Sequence, residues 1–469
     1  MEQRLLLWIL ILTVSAKLVQ TKMFLCKEKY ETSQCTIQNV TAEESSIELE
    51  SPYLSSQKMI TGLTILRSSM DGIPPISSNR LVNLNYLRCD GLTDIEQHSF
   101  SLFNNVVRLE ISHGTYTTFK ENLFSSMPLL TEMHARDGTI SEIEDDAFFN
   151  LTKLIQLNLS NNTIGRITPK MFKPLESLFA LDLSYNQITC LDEDLFLNNI
   201  NLTYLNLNDN KINILAARIF NPQSKLYIVN LSRNELTTLN TQNMVNIHAE
   251  HNQIRQLFIS RTVEYLDVYR NHIEDVVCDE VDSHLTYLDM TNNSLTELGC
   301  IGSLKNLVTL RLNLNNFGIF KQSSFVALTE LTLLQLGATN ISMIENVVFT
   351  HQYNLQTLVI SDNRMGNNAL KVLPAWRNLL SLHVQGNNMT EFPYDTLKTA
   401  LPRLSELGIG VNDFNCTFLE RAVKKLNDEN VFIVPTVAYK MRHQHSIAGI
   451  GCEETRKNGT AASGSLSST

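Results

Sequence analysis

Beyond its first sixteen residues the chain has no apolar stretch long enough to span a bilayer, which takes about 20 residues. Residues 453–469 are polar and lack the hydrophobic ending of a lipid-anchor signal, so no membrane anchor is expected. Positive charge is also scarce. The 38 Lys and Arg stand against 48 Asp and Glu, a formal charge of -10 that disfavours nucleic acid or anionic lipid as the main partner. With 11 Pro and 18 Gly in 469 residues, 43% hydrophobic and 18% charged, the composition excludes a largely disordered chain. The motifs of catalysis are missing too: no G-x-S-x-G elbow, no H-E-x-x-H zinc helix, no phosphate-binding glycine loop and no dinucleotide fingerprint. His443 and His445 form an H-x-H pair without a clustered third ligand and read as a solvated loop, so neither a metal nor a cofactor is expected.

What is present is a repeat. The pattern L-x-x-L-x-L-x-x-N is clearest in Leu154, Leu157, Leu159, Asn162 and again in Leu178, Leu181, Leu183, Asn186. A period of about 24 residues with this spacing is the signature of the leucine-rich repeat, one short strand plus a return segment per unit. The fold class expected is therefore α/β: a leucine-rich repeat solenoid with a curved parallel β-sheet on its concave face, an irregular or short-helical convex side, and disulfide-bonded caps. Sixteen coils fit, the first opening at Ile60 and the last at Leu404, and eleven of them carry Asn at the ninth position. That Asn is assigned to bonding buried backbone groups, and the Leu positions to the interior. An open repeat surface without catalytic motifs is not expected to be an enzyme.

Most units run 22 to 25 residues, and the longer ones carry an apolar pair such as Leu123-Phe124, Ala147-Phe148, Leu195-Phe196, Ile219-Phe220 or Val348-Phe349, expected to anchor a turn on the return side. From Leu226 to Leu285 the spacing contracts to 18, 19 and 22, too short for such a turn, so the return path there should run nearly straight.

Arg4, the apolar run Leu5 to Val14 and the small-residue site Val14-Ser15-Ala16 read as a secretory signal over residues 1–16. The domain plan that follows is an N-terminal cap over 17–59, repeats over 60–415, a C-terminal cap over 416–452 and a disordered polar tail over 453–469. Eight cysteines in a secreted chain should be mostly oxidised. Cys26 with Cys35 and Cys416 with Cys452 bracket the repeats. Cys278 and Cys300 each lie seven residues after the Asn of their repeat, the same phase of adjacent coils, within disulfide reach. Cys89 takes a Leu position and should be a buried thiol, whereas Cys190 lies off the strand, where either a partly covered thiol or an intermolecular disulfide is open to it.

Eleven sequons, at Asn39, Asn150, Asn158, Asn161, Asn201, Asn230, Asn292, Asn340, Asn388, Asn415 and Asn458, are candidate glycosylation sites. Asn158 and Asn230 fall on strand positions facing away from the core. Those variable positions are where such a fold holds its specificity, and they bring forward a candidate binding patch of Tyr204, His248, Glu250, Tyr265, Asp267, Tyr269, Arg270, Tyr287 and Asp289. Tyrosine buries much area while keeping a polar tip; the alternative is that exposed Tyr here merely suits β-structure. A basic partner would complement the acids.

The repeats NLSNNTIGRI and DLSYNQITCL, the contracted units IHAEHNQIRQL and LDVYRNHIEDV, and a cap ending in GIGC resemble the leucine-rich immune proteins of mosquitoes and related secreted insect proteins, over Lys17 to Cys452. The resemblance implies secretion into the haemolymph, and for some members a disulfide-linked pair that holds complement-like thioester proteins. No heptad-bearing coiled coil and no close cysteine pair follow Cys452, so the chain resembles a short member of that family and dimerisation is left open. The expectation is a secreted glycoprotein of innate immunity that binds an extracellular protein or a microbial-surface ligand. The alternatives are an adhesion or developmental protein without an immune role, and a non-catalytic accessory subunit of a secreted enzyme.

Overall fold

The computed structural model describes residues 21–25, 34–40, 46–50, 60–66, 70–71, 73, 76–77, 81–96, 99–216, 218–223, 226–279, 283–321, 323–345, 348–371, 373–436 and 445–454. The leader, Cys26, His443, Asn458 and the tail from 455 onward lie outside the described residues. Two compact units divide the chain, one built from 1–237 with 242–248 and the other from 238–241 with 249–469.

In the first unit the parallel strands Gly62–Leu66, Tyr86–Cys89, Arg108–Glu110, Glu132–His134, Gln156–Asn158, Ala180–Asp182, Tyr204–Asn206, Leu226–Asn230 and Met244–His248 pair in chain order, one per coil. The second unit does the same with Tyr265–Asp267, Tyr287–Asp289, Thr309–Arg311, Leu333–Gln335, Thr357–Val359, Ser381–His383 and Glu406–Gly408. The leucine-rich-repeat architecture read from the periodicity is present in these strands. The cause is period-2 alternation. In Gln156–Asn158 the middle Leu157 is buried between an exposed Gln156 and a half-buried Asn158, and the same pattern recurs in coil after coil. Each Leu fully withdrawn from water contributes roughly 1.5–3 kcal/mol.

The sheet of each unit also extends past the repeats. Gln34–Gln38, inside the segment read as an N-terminal cap, pairs with Gly62–Leu66 and buries Cys35, Ile37 and Val40 as a coil would. A second parallel sheet of Thr21–Leu25, Ser46–Glu50 and Ile76–Ser77 accompanies it. At the other end Phe432–Ile433 pairs with Glu406–Gly408. The helix Cys416–Asp428 is capped by Asn415, whose side chain accepts from Thr417 N at 2.9 Å, and it buries Leu419, Ala422, Val423 and Leu426. Phe418 is half-buried and packs on Phe392, Tyr394 and Phe414. Cys416 is bonded to Cys452, which ends a hairpin of His445–Ile447 and Ile450–Cys452.

Return segments follow repeat length. The Phe of every apolar pair named above is at most 2% exposed and lies in a turn, while the buried Phe172 ends the one-turn helix Pro169–Phe172. In the contracted stretch the return is itself a strand. Thr238–Asn240, Gln256–Ile259 and Asp275–Cys278 form a three-stranded parallel sheet in the second unit, because 18 or 19 residues leave room for two extended segments and their bends only. Cys278 ends the last of these strands and is bonded to Cys300 in the 3-10 turn Gly299–Ser303, with Cα atoms 5.9 Å apart. Cys35 is disulfide-bonded, Cys89 is a buried thiol and Cys190 an exposed one.

Candidate functional site

The register of the second unit sets Tyr265 opposite Tyr287 and Asp267 opposite Asp289, with Arg311 next to Asp289 on the following strand. Adjacent strands are about 4.8 Å apart, close to the thickness of stacked rings. Tyr265 and Tyr287 accordingly stack with centroids 4.3 Å apart and planes 9° apart, an arrangement that contributes about 0.5–1.5 kcal/mol beyond buried area. The Arg311 guanidinium lies 5.5 Å from the Tyr287 ring and 3.5 Å from Asp289 Oδ2. All but the buried Asp289 are half-buried, so the group is a fixed, water-facing platform.

The acids of this platform have a second task. Asp267 Oδ1 accepts from Tyr269 N at 3.0 Å, and Asp289 Oδ1 from Thr291 N at 2.9 Å. Asn158, Asp182, Asn206 and Asn230 hold the backbone N–H two residues on in the same way in the first unit. An Asn or Asp at this strand position closes the turn that leaves the sheet. The other oxygen of Asp289 meets Arg311 at 3.5 Å. Burial pushes the Asp267 carboxyl up to about 6; the Tyr269 N–H opposes this, and the charges of Asp289 and Glu250 add to it. Glu250 Oε2 is buried and has no hydrogen-bond partner among the described residues.

The remaining patch residues are placed differently. Tyr204 lies on a strand of the first unit and His248 ends another; they belong to that unit, while the other seven belong to the second. Tyr269 and Arg270 are not on a strand, as the alternation had placed them. The strand stops at Asp267, and Arg270 takes the left-handed conformation (φ 56°) that turns the chain away. Its guanidinium lies 5.9 Å from the Tyr269 ring, which also meets His251 edge-on.

A polar network in the first unit escaped the sequence reading. Arg108 bonds Glu110 at 2.7 Å and approaches Glu132 at 3.2 Å, Arg88 bonds Asp90 at 2.9 Å and approaches Glu110 at 3.4 Å, and Tyr86 Oη donates to Glu110 at 3.2 Å. Burial raises the Glu110 carboxyl, yet the Arg108 hydrogen bond and the arginine charges outweigh this and hold it below its ordinary value. Two arginines against three carboxylates leave this network one negative charge in excess, so it offers a basic partner less than the platform of the second unit, where three acids face one arginine. The alternating Tyr86, Arg88 and Arg108, Glu110 on neighbouring strands were its only sequence signal.

Asp267→Asn is expected to stabilise the protein by about 1 kcal/mol at pH 7.5, after discounting for solvent screening. Asn keeps the Oδ1 acceptor for Tyr269 N, as Asn158 and Asn206 do at this position, and removes a desolvated charge. Because the folded carboxyl is raised, the folded state binds a proton more readily than the unfolded chain, so ionised Asp267 opposes folding above about pH 6. The penalty fades as pH falls and is gone below the ordinary carboxylate range. Thermal melts should therefore show the variant ahead at pH 7.5 and level with the parent near pH 4; a variant behind the parent at pH 7.5 contradicts the desolvation argument.

Three family models match parts of the chain: a BspA type leucine rich repeat region over residues 28–131, and leucine rich repeats over 129–188 and 281–302. Among curated proteins, human leucine-rich repeats and immunoglobulin-like domains protein 1 is 30% identical over 125 residues, 26% of this chain and 11% of that protein. Toll-like receptor 4 of Bos taurus is 31% identical over 117 residues, 23% of this chain and 14% of that protein. The chain thus spans a small part of the curated relatives it matches. Among solved structures, one from the LRIM1/APL1C complex superposes with a TM-score of 0.66 at 18% identity, covering 94% of this chain and 72% of the other. The APL1 leucine-rich repeat domain gives 0.65 at 19% identity over 93% of this chain and 100% of that one. A chain of the Drosophila Toll–Spatzle complex gives 0.64 at 18% identity over 84% and 61%. Repeat spacing, strand register and these superpositions together make the chain a leucine-rich-repeat solenoid.

Proposed function

We propose that this chain is a secreted, glycosylated binding protein of insect innate immunity. It recognises an extracellular protein or microbial-surface ligand through the sheet face of its second unit, and the sequence resemblance makes a complement-like thioester protein the first partner to test. The observation that carries the reading is the Tyr265–Tyr287 stack set among Glu250, Asp267 and Asp289 with Arg311 as the neighbouring cation. Stacked aromatics already fixed by the sheet lose little freedom on binding, and three acids against one arginine favour a basic partner surface. Disulfides at Cys278–Cys300 and Cys416–Cys452 suit an oxidising compartment. Among the described residues no helix is long and apolar enough to cross a membrane. Neighbours in fold include chains of the LRIM1/APL1C and Toll–Spatzle complexes.

The test uses the secreted full chain and a purified insect thioester protein. The double variant Tyr265→Ala, Tyr287→Ala should bind at least about 10-fold more weakly, since aromatic anchors typically contribute 1–2 kcal/mol or more each, while its melting temperature stays within a few degrees. Unchanged affinity with an intact fold would remove the platform from the binding surface.

A further inference from the structure

The first unit presents a different surface. Its strands Gln156–Asn158, Ala180–Asp182, Tyr204–Asn206 and Leu226–Asn230 align so that Asn158, Asp182, Asn206 and Asn230 form one row across four coils. Immediately before these strands, Ile155, Phe179, Thr203 and Tyr227 form a backbone ladder, each N–H donating to the carbonyl of the coil before at 2.8–2.9 Å. Ile155, Phe179 and Tyr227 are 42%, 47% and 49% exposed, and half-buried Ala180, Tyr204 and Ile228 adjoin them. Large apolar side chains open to water at three of these four coils mark a surface that something covers.

The two ends of the polar row indicate what that is. Asn158-Leu159-Ser160 and Asn230-Leu231-Ser232 are sequons. Asn158 Oδ1 accepts both Ser160 N at 2.9 Å and Ser160 Oγ at 2.7 Å, and Asn230 Oδ1 accepts Ser232 N at 3.0 Å and Ser232 Oγ at 2.6 Å. Each amide is thereby fixed by its oxygen, while its Nδ2 makes no hydrogen bond among the described residues. Some other sequon amides are engaged: Nδ2 of Asn150, Asn161 and Asn201 donates to Ser125 O, Asp137 Oδ1 and Glu176 O at 2.9–3.0 Å.

We propose that Asn158 and Asn230 both carry N-linked oligosaccharides, and that these two glycans are the cover of the apolar row between them. The inference rests on the secretory reading above. In the modification Nδ2 gives up one hydrogen and bonds the anomeric carbon of a lipid-pyrophosphate-linked oligosaccharide, while the lipid pyrophosphate leaves with the proton. Three strand spacings place the two asparagines about 14 Å apart, a gap that the branched core of two such glycans bridges from both ends. The apolar faces of the sugar rings then pack on Phe179, Tyr204 and Tyr227. Asp182 and Asn206 supply polar groups for the sugar hydroxyls. The consequence is that this sheet face is closed to protein partners, which leaves recognition to the platform of the second unit.

The test is to secrete the full chain from insect cells through its own leader, release glycans with peptide N-glycosidase A in heavy-oxygen water and map the peptides. Labelled Asp at both 158 and 230 in most molecules supports the proposal. In the S160A/S232A variant, which abolishes both sequons while keeping the backbone N–H bonds to Asn158 and Asn230, binding of a hydrophobic-surface dye should rise several-fold at unchanged melting temperature. Unmodified Asn158 and Asn230 in protein whose Asn292 or Asn388 is glycosylated overturn the proposal alone. Absence of glycan at every sequon overturns the secretory reading and the proposal with it. Occupied sites with unchanged dye binding in the variant overturn the covering role.

Discussion

Replacing Asn186 by Leu is expected to destabilise the first unit by about 3 kcal/mol, although the new side chain is apolar and the site is buried. Asn186 Oδ1 accepts from Ile164 N at 3.0 Å, and its Nδ2 donates to Leu159 O, Leu183 O and Ser184 O at 3.0, 3.0 and 3.1 Å. The carbonyls are shared: Leu159 O also takes Asn162, Leu183 O takes Asn210 and Ser184 O takes Asn161 N. They survive the substitution. Ile164 N–H does not, since a leucine offers no acceptor there. Leaving one buried donor unsatisfied costs roughly 1–3 kcal/mol, and each lost bond adds about 1 kcal/mol before repacking. Thr339 shows how the fold manages without Asn: the N–H of Phe317 turns to the Thr339 backbone carbonyl at 3.0 Å instead. Asn186→Thr should consequently lose less than Asn186→Leu. Urea unfolding followed by far-UV circular dichroism measures both, and a leucine variant within 1 kcal/mol of the parent would show that the amide ladder does not hold the coils.

That ladder also explains how much of the molecule could be read beforehand. Leu157, Leu159 and Asn162 have fixed roles at fixed spacing, so coil number, strand position and inward-facing residues follow from the chain alone. The Cys278–Cys300 bond follows as well, from equal phase in adjacent coils. Contacts made between coils are different in kind. The residue before each ladder Asn adopts a left-handed φ whatever its type, as at Tyr185, Arg270, Leu314 and Val411, because the turn out of the sheet imposes it. Sequence alternation continued past that point therefore misplaced Tyr269 and Arg270. The Asp267 and Asp289 carboxylates looked like free surface charge, but half of each is committed to closing its own turn. The Tyr265–Tyr287 stack was legible as two tyrosines at equivalent positions 22 residues apart; the added contact of Arg311 with Tyr287 needed the register of a third strand.

Phe148→Ala is the second large effect, expected at about 3–5 kcal/mol. Phe148 is fully buried on the return side of its coil, with its ring 6.1 Å from Phe124 in a stacked pair and 6.2 Å from Phe119 edge-on. Phe124 in turn meets Phe100 at 5.3 Å and Phe119 at 5.1 Å. Removing one ring opens a cavity inside this cluster, and its walls are held by turns whose own N–H groups are already bonded, such as Leu151 N to Phe148 O at 3.2 Å. Partial collapse is therefore restricted and the cavity term stays near its full size. The neighbouring Phe149 supplies the control. It is 52% exposed, and Phe149→Ala should change stability by no more than about 0.5 kcal/mol. Two phenylalanines adjacent in sequence thus differ several-fold in effect because the apolar pair Ala147-Phe148 faces inward and Phe149 faces water. Equal losses from the two alanine variants in urea unfolding would contradict the assignment of the pair as the anchor of the return turn. A loss confined to Phe148→Ala ties the length of each repeat, through that anchor, to the distance its return segment holds from the sheet.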